Sequence, residues 1–277
     1  MSFTLGMAQM LVESGRPEAN LARAEELVRT AAARGCQMVV LPECMDVGWA
    51  HPQAAELAEP INGPRARWLR LLAQELEVYI LAGFTERDGD RVYNAALLVD
   101  PAGAPLLRHR KINLLVGVED VYNVGDRLGV AHTPLGTLGV SICADNFPES
   151  LALGHCLARM GARVLLAPCA WATPADHDNT TRPYGDIWDQ AFRELARLYD
   201  LTIVGVSNVG RIGAGPWAGR KCIGCSLAVG PGGRTVARGP YGEEAQELIV
   251  IEVNPVAQPA HGTDIAPMLR ARGYAGP

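Results

Sequence analysis

Two segments of this chain share one order of elements, strand, helix and strand, and this repeat restricts the possible folds more than any other feature. Each segment begins and ends with a short run of apolar residues, and a helix lies between the two runs. The four strands are predicted at Thr4–Met10, Met38–Leu41, Thr137–Cys143 and Val164–Ala167. Because these runs are apolar throughout, each strand needs a cover on both faces of its sheet.

The two segments also match in detail, which indicates one domain of two related halves. Leu5-Gly6-Met7 corresponds to Leu138-Gly139-Val140, and Leu41-Pro42-Glu43 corresponds to Ala167-Pro168-Cys169. A chain of 277 residues with 48% hydrophobic residues can form a core of the required size. We therefore predict a single domain over residues 1–277, with a core at 3–254 and a C-terminal tail at 255–277 that shows little periodicity.

Antiparallel hairpins are predicted between the two segments. Asp88-Gly89-Asp90 forms a turn between strands at Val78–Phe84 and Val92–Val99. After the second segment, the amphipathic helix Ile187–Tyr199 leads into another buried strand, Thr202–Val206. Two sheets packed face to face, with helices outside each sheet, satisfy this order and cover both faces of every apolar strand.

Charge and cysteine content argue against several classes of function. The net charge is −5 and Arg108–Lys111 is the one dense basic run, so nothing indicates binding to nucleic acid or to an anionic membrane surface. No apolar run approaches the length of a membrane span, and the N-terminus shows no secretory signal. Seven cysteines without a regular framework fit a reducing compartment, so we expect a cytoplasmic protein.

Cys143 stands where a predicted buried strand ends and a helix, predicted at Pro148–Met160, follows. Pro148 suits the first turn of a helix, where the N–H that proline lacks has no partner. A thiol near the positive end of a helix is favoured as the thiolate, the form that attacks carbon. The alternative is a buried and inert cysteine, which is the usual state of a free cysteine.

Two other polar residues stand at the ends of predicted strands. Glu43 follows Met38–Leu41, and Lys111 ends the strand Pro105–Lys111. Strand ends meet at one rim of an α/β sheet, where clefts form. There the Cys143 thiol would attack a carbonyl or nitrile carbon, a carboxylate would move the proton, and an ammonium would stabilise the oxyanion. The alternative is that Glu43 caps a loop and Lys111 is a solvated charge.

The chain resembles the nitrilase superfamily of carbon–nitrogen hydrolases over residues 3–254. The motifs that carry the resemblance occur in the order found in that family. They are Val39–Glu43 for the glutamate, Arg110–Leu114 for the lysine, Gly139–Glu149 for the nucleophile elbow, and the later segments Asn208–Gly210 and Gly230–Gly233.

The resemblance implies an α/β fold, a four-layer α-β-β-α sandwich of two mixed sheets that pairs through its outer helices into a homodimer or a higher homo-oligomer. It implies Cys143 as the nucleophile, Glu43 as general base and acid, and Lys111 as the oxyanion stabiliser together with the backbone N–H of Ala144. Glu119 corresponds to a second glutamate, which positions the lysine and the substrate in many members. Neither a metal ion nor an organic cofactor is expected.

The residues after Cys143 bear on the substrate. Nitrilases of the family usually have Trp and Glu there, whereas this chain has Ala144 and Asp145, which favours an amide or N-carbamoyl substrate. Carbamoylases for D-amino acids carry arginines just past the elbow, where this chain has Asn146 and Phe147, which argues against an N-carbamoyl D-amino acid as the substrate. We therefore expect hydrolysis of a small linear amide or N-carbamoyl compound through a cysteine thioester, with release of ammonia or an amine. The alternatives are a nitrilase and a catalytically silent binding or scaffold protein of the same fold.

Three residues are candidates for substrate binding. Asn146 lies in the elbow, and Trp171 follows the strand Val164–Ala167 either as a wall of the pocket or as a core residue. Arg182 lies in the loop 173–186, either as an anchor for an anionic group or as a solvated charge.

Cys222 and Cys225 have the spacing of a zinc or redox pair. A zinc site needs two further ligands at suitable spacing, and a redox pair opens a helix after a strand, whereas this pair leads into a strand. We expect no metal here, and the sequence assigns no role to this pair or to the loops 173–186 and 210–221.

Overall fold

The structure is a computed structural model that describes residues 2–276. The strands in this range are β1 (Phe3–Gln9), β2 (Met38–Val40), β3 (Tyr79–Asp88), β4 (Arg91–Val99), β5 (Pro105–Arg110), β6 (Val130–Thr133), β7 (Gly136–Val140), β8 (Val164–Cys169), β9 (Ala172–Thr173), β10 (Thr202–Ser207), β11 (Val209–Arg211), β12 (Lys221–Ile223), β13 (Leu227–Gly230), β14 (Arg234–Arg238) and β15 (Glu247–Val253). The α-helices are α1 (Pro17–Ala33), α2 (Ala54–Leu57), α3 (Pro64–Leu76), α4 (Leu151–Arg159), α5 (Asp186–Tyr199) and α6 (Ile265–Ala271). Within these described residues, no helix has both the length and the apolar character needed to cross a membrane.

The first half of the chain forms one six-stranded sheet with the order β15-β1-β2-β3-β4-β5, in which β15 returns from the far end of the chain. The strands β1, β2 and β3 run parallel, with Leu5 opposite Met38 and Met38 opposite Tyr79. The strands β4, β5 and β15 are antiparallel to their neighbours. The sheet is therefore mixed, and β3 with β4 forms the hairpin predicted around Gly89.

The second half forms another six-stranded sheet with the order β14-β13-β10-β8-β7-β6. Its central strands β7, β8 and β10 run parallel, and the others pair antiparallel. Both halves contain the predicted strand, helix and parallel strand, and their glycines lie at matching places. A Cβ atom on Gly6 would lie 3.1 Å from the Cβ of Ala31, and one on Gly139 would lie 3.2 Å from the Cβ of Ala162. Each half therefore uses a glycine where the last turn of its helix, or the chain just after that helix, approaches the sheet.

Alternation along the strands sorts the side chains into two cores. Met38 and Val40 of β2 contribute to the core between the two sheets, whereas Val39 contributes to the core under α1 and α3. On the other side, Leu157 of α4 and Phe192 of α5 approach the second sheet at Gly139 and Gly205. The layers are thus helix, sheet, sheet and helix, and the predicted four-layer α-β-β-α sandwich is confirmed.

Regular structure extends into two regions that the sequence analysis interprets as irregular. Both ends of the predicted loop 210–221 belong to strands β11 and β12 of a small third sheet, β11-β12-β9. The tail 255–277 contains α6, in which Ile265 and Leu269 are buried. The little periodicity of the tail sequence does not reveal this helix, because a helix of seven residues offers too few apolar positions to show its period.

Candidate active site

Cys143 follows β7 at the first position of a 3-10 turn, Cys143–Asn146. Its φ angle is +42°, a backbone conformation that residues other than glycine rarely adopt. Such a turn between a strand and a helix is the geometry that presents a nucleophile at the top of a sheet. The residue is 8% exposed, so the protein encloses most of the thiol.

The helix after the elbow begins later than the sequence predicts. Pro148–Ser150 form a second 3-10 turn, and α4 starts only at Leu151. Phe147 is extended, with a ψ of 153°, because a residue before proline is disfavoured in the helical region. The N-terminal end of α4 is therefore not next to Cys143, and the positive charge that interacts with Cys143 is the ammonium of Lys111.

The side chains of Ser141 and Asn146 stabilise the strained backbone around Cys143. The hydroxyl of Ser141 donates to Oδ1 of Asn146 at 2.9 Å, and Nδ2 of Asn146 donates to the carbonyl of Cys143 at 3.2 Å. Both ends of the Asn146 amide are thus engaged within the elbow, and its contact with a substrate stays a prediction. Ala144 is fully buried beside Cys143, and the oxyanion role of its backbone N–H also stays a prediction.

The structure brings Glu43, Lys111 and Glu119 together in one buried cluster. Nζ of Lys111 lies 2.8 Å from Oε1 of Glu43, and 2.9 and 2.8 Å from the two oxygens of Glu119. The three side chains are fully buried. They come from separate places in the first sheet: after β2, directly after β5, and in the following loop.

The charges of the cluster act on each other. Burial works to lower the pKa of the Lys111 ammonium, but Glu43, Glu119 and Cys143 together raise that pKa well above its usual value. Burial raises the pKa of Glu43, and Lys111 opposes the rise while Glu119 adds to it. A carboxyl with a raised pKa exchanges protons closer to neutral pH, as a general base and acid must.

Two residues that the sequence analysis does not single out complete the cluster. Nδ2 of Asn94 donates to Glu43 at 2.6 Å and to Glu119 at 3.1 Å. The indole N–H of Trp49 donates to Oε1 of Glu119 at 2.8 Å. Asn94 has a signal in the sequence, a polar residue within an otherwise apolar strand, whereas Trp49 has none.

Gly83 makes room for the turn that carries Glu43. A Cβ atom at this position would lie 2.5 Å from the carbonyl oxygen of Pro42 and 2.7 Å from Cα of Glu43. The N–H of Gly83 donates to the same carbonyl at 3.1 Å. The backbone around Glu43 therefore lies directly against β3, and only glycine permits this approach.

Cys169, at the end of β8, connects the glutamate to the second sheet. Its carbonyl accepts hydrogen bonds from the backbone N–H groups of Glu43, at 3.3 Å, and Asn208, at 3.4 Å. Its thiol is buried and donates to the carbonyl of Ala167 at 3.2 Å, and burial, with the neighbouring Cys143, raises the pKa of Cys169 well above its usual value. Cys169 is therefore a neighbour of the nucleophile that stays a neutral thiol.

The two other substrate-binding candidates lie in different surroundings. Trp171 is buried and stacks on Trp188 with 4.9 Å between ring centroids, and its indole N–H has no hydrogen-bond partner within residues 2–276. Arg182 is exposed in the loop after β9, and its backbone N–H donates to the carbonyl of Asp178 at 3.1 Å. Both substrate contacts stay predictions.

Cys222 and Cys225 are buried and free. Burial raises the pKa of Cys222 to about 12 and that of Cys225 to about 11. Within the part of the chain that the structure describes, no group of three or more His, Cys, Asp or Glu side chains is arranged to hold a metal ion.

Comparison with known proteins adds a family and a shared fold. Residues 4–260 match the family model described as carbon–nitrogen hydrolase. A protein named nitrilase from Pyrococcus abyssi is 37% identical over 173 residues, which cover 60% of this chain and 64% of that protein. The omega-amidase of Xenopus tropicalis is 33% identical over 180 residues, which cover 61% of this chain and 64% of that protein. An amidase from Nesterenkonia sp. superposes with a TM-score of 0.75 at 20% identity, over 91% of this chain and 90% of that chain.

These similarities differ in what they show. The chain matches less than two thirds of the length of both relatives, 64% in each case. The solved amidase shares the fold at low sequence identity. The family model, in contrast, covers nearly all of this chain, including Glu43, Lys111, Glu119 and Cys143.

Proposed function

The chain belongs to the carbon–nitrogen hydrolase family, and from this premise we propose that it hydrolyses the C–N bond of a small linear amide or N-carbamoyl compound. The observation that carries the proposal is the buried contact of Lys111 with both Glu43 and Glu119, in a site that also contains Cys143 at a strained turn. A silent scaffold has no need to keep such a cluster, because burying three charged side chains is costly unless they are used.

The first half of the reaction forms a thioester. Glu43 accepts the proton of the Cys143 thiol, and the thiolate attacks the carbonyl carbon of the amide. The Lys111 ammonium and the backbone N–H of Ala144 stabilise the oxyanion of the tetrahedral intermediate. Glu43 then gives the proton to the leaving nitrogen, the C–N bond breaks, and ammonia or an amine departs.

The second half reverses these roles with water. Glu43 accepts a proton from a water molecule, and the resulting hydroxide attacks the thioester carbon. The C–S bond breaks, the carboxylic acid leaves, and the proton returns from Glu43 to the sulfur. Oε2 of Glu43 suits this exchange, since it is buried and has no hydrogen-bond partner within residues 2–276.

A nitrile is the second candidate substrate. The observation that favours it is the 37% identity to a protein named nitrilase. The small Ala144 and the acidic Asp145 after the nucleophile favour the amide instead, as does the similarity to an omega-amidase. A third possibility is a catalytically silent member of the fold.

A screen that measures ammonia release separates these functions. The panel contains small aliphatic amides, N-carbamoyl amino acids and aliphatic nitriles, tested with the unaltered enzyme, Cys143→Ala and, as a matched control, Cys156→Ala on the exposed face of α4. We expect release from amides or N-carbamoyl compounds that Cys143→Ala abolishes and Cys156→Ala leaves intact. Ammonia release from nitriles alone would support a nitrilase function. No ammonia release from any compound would support a catalytically silent scaffold protein.

The same proposal includes a homodimer formed through the outer helices. Met160, just after α4, and Ile187 of α5 are apolar residues that are 44% and 46% exposed, and an interface over these helices would cover both. Light scattering of the purified protein should give twice the chain mass of 29.6 kDa, and a mass of one chain contradicts this part.

A further inference from the structure

Asp145 is a buried carboxylate next to the nucleophile turn that takes no part in the proton transfers proposed above. Oδ1 accepts hydrogen bonds from the backbone N–H groups of Ile112, at 3.0 Å, and Asn113, at 2.8 Å. Oδ2 accepts from the backbone N–H of Ile142 at 3.0 Å and lies 2.8 Å from Nε2 of His109. One carboxylate therefore holds four groups, and all four come from two segments of the chain.

The two segments are those that carry Lys111 and Cys143. His109, Ile112 and Asn113 surround Lys111 in sequence, while Ile142 directly precedes Cys143. Glu43 and Lys111 follow strands β2 and β5 of the first sheet, whereas Cys143 follows β7 of the second. Asp145 thus joins the two halves of the candidate active site across the sandwich.

Asp145 is charged when it does this. Burial acts to raise its pKa, but the hydrogen bonds from His109 and from the backbone N–H groups of Asn113 and Ile142 outweigh burial, so the pKa lies below its usual value. An ionised carboxylate accepts only, so Nε2 of His109 is the donor. Nδ1 of His109 is buried and has no hydrogen-bond partner in the described chain.

We propose that Asp145, with His109, is a positioning pair that fixes the Lys111 ammonium relative to the sulfur of Cys143. Resting on the proposed function, this makes the oxyanion site depend on a contact between the two sheets. Without Asp145, Lys111 should keep its ion pairs with Glu43, which follows β2 of the same sheet, and with Glu119, which lies eight residues further along the same segment. What is lost is the fixed position of the Lys111 ammonium relative to the turn that carries Cys143.

The expected effect therefore falls on the transition state rather than on substrate binding. A misplaced ammonium stabilises the oxyanion less, which lowers kcat while KM changes little. Asp145→Asn keeps the oxygen that holds Ile112 and Asn113 but puts an amide nitrogen, a donor, where Oδ2 accepts from His109 and Ile142. The loss of these two contacts should lower kcat about tenfold. Asp145→Ala removes all four contacts and should lower kcat about 100-fold. His109→Gln, which keeps a side-chain donor, should retain more activity than His109→Ala.

A second readout does not depend on the substrate. Lys111 near the sulfur supports the thiolate, so Asp145→Asn and Asp145→Ala should slow alkylation of Cys143 by iodoacetamide at pH 7, followed by peptide mass spectrometry, about tenfold. If the unaltered enzyme hydrolyses no amide, the proposed function fails, yet this alkylation series still tests the positioning pair.

The matched control is Asn20→Ala in α1, which removes four hydrogen bonds of another buried polar residue. It should lower the melting temperature but leave kcat per folded enzyme and the alkylation rate unchanged. The proposal is overturned if folded Asp145→Asn has the kcat and the alkylation rate of the unaltered enzyme. It is also overturned if the fall in kcat and in alkylation rate of the Asp145 variants equals the fraction of each variant that is unfolded. If Asp145→Ala does not fold, kcat per folded enzyme and the alkylation rate of Cys143 in Asp145→Asn and His109→Gln decide whether the proposal holds.

Discussion

The side-chain amide of Asn94 donates a 2.6 Å hydrogen bond to Oε1 of Glu43, the same oxygen that accepts from Lys111. A donor to a carboxylate stabilises its charged form, so Asn94 holds down the pKa that burial raises. Asn94→Ala should therefore raise the pKa of Glu43 further. Because a general base works only when deprotonated, the acid limb of kcat/KM should move to higher pH, with a loss of about 10–100-fold at pH 7.

The pH profile distinguishes this effect from simple damage to the site. In a damaged site, kcat/KM falls by the same factor at every pH and the acid limb stays in place. That outcome, or an acid limb that moves to lower pH, would contradict the role of Glu43 as the base.

Gly83→Ala should displace Glu43 without adding any new charge. The added methyl would lie 2.5 Å from the carbonyl oxygen of Pro42, so the glutamate turn must move away from β3. We expect destabilisation of about 1–3 kcal/mol in urea unfolding and a fall in kcat of more than about tenfold. Gly89→Ala in the β3–β4 turn is the control, since its cost comes only from a φ of +63° and its turnover should stay normal. Normal turnover in folded Gly83→Ala would show that the position of Glu43 is not critical.

Cysteine labelling should single out the nucleophile. Burial raises the pKa of Cys44 and Cys169 well above the usual value, so neither forms a thiolate at pH 7. Cys143 has Lys111 nearby, whereas Cys156 is simply exposed. Limiting iodoacetamide followed by peptide mapping should modify Cys143 first. Preferential labelling of Cys156, with Cys143 no faster than the buried thiols, would argue for an inert cysteine.

The C-terminal helix should contribute to stability and not to catalysis. Leu269 of α6 is 1% exposed, and Arg272 donates to the carbonyls of Arg197 and Leu198 at the end of α5. Leu269→Ala should lower the free energy of unfolding by about 2–4 kcal/mol, measured in urea, with kcat per folded molecule unchanged. Val256→Ala, at an exposed position of the same tail, should change stability by less than about 0.5 kcal/mol. Equal stability of the two variants would show that α6 does not pack on the domain.

The sequence predicts much of the fold because its central strands are short, apolar and bounded by clear turns. Met38–Leu41 and Val164–Ala167 lie at β2 and β8, and the repeated Leu-Gly pairs lie at equivalent places in β1 and β7. Periodicity fails where elements are too short to show it, as in β9, β12 and α6. At the elbow, Pro148 marks a 3-10 turn rather than the start of α4.

The candidate site is only partly visible in the sequence. Glu43, Lys111 and Cys143 stand out because each lies at or just after the end of a predicted strand. The contacts of Asn94 and Trp49 join residues 51 and 70 positions apart, and no local pattern reports such pairing. Asp145 appears in the sequence only as a difference from nitrilases, whereas its four hydrogen bonds depend on how the two sheets meet.

The central claim is that Cys143 forms a covalent acyl intermediate. The most direct test is intact-protein mass spectrometry of Glu43→Gln mixed with the amide that releases most ammonia in the screen, because loss of the base slows hydrolysis of the thioester. The account predicts a mass increase equal to the acyl group, located on Cys143 by peptide mapping and absent from Cys143→Ala. An adduct on another residue, or hydrolysis by Cys143→Ala at the rate of the unaltered enzyme, would contradict it.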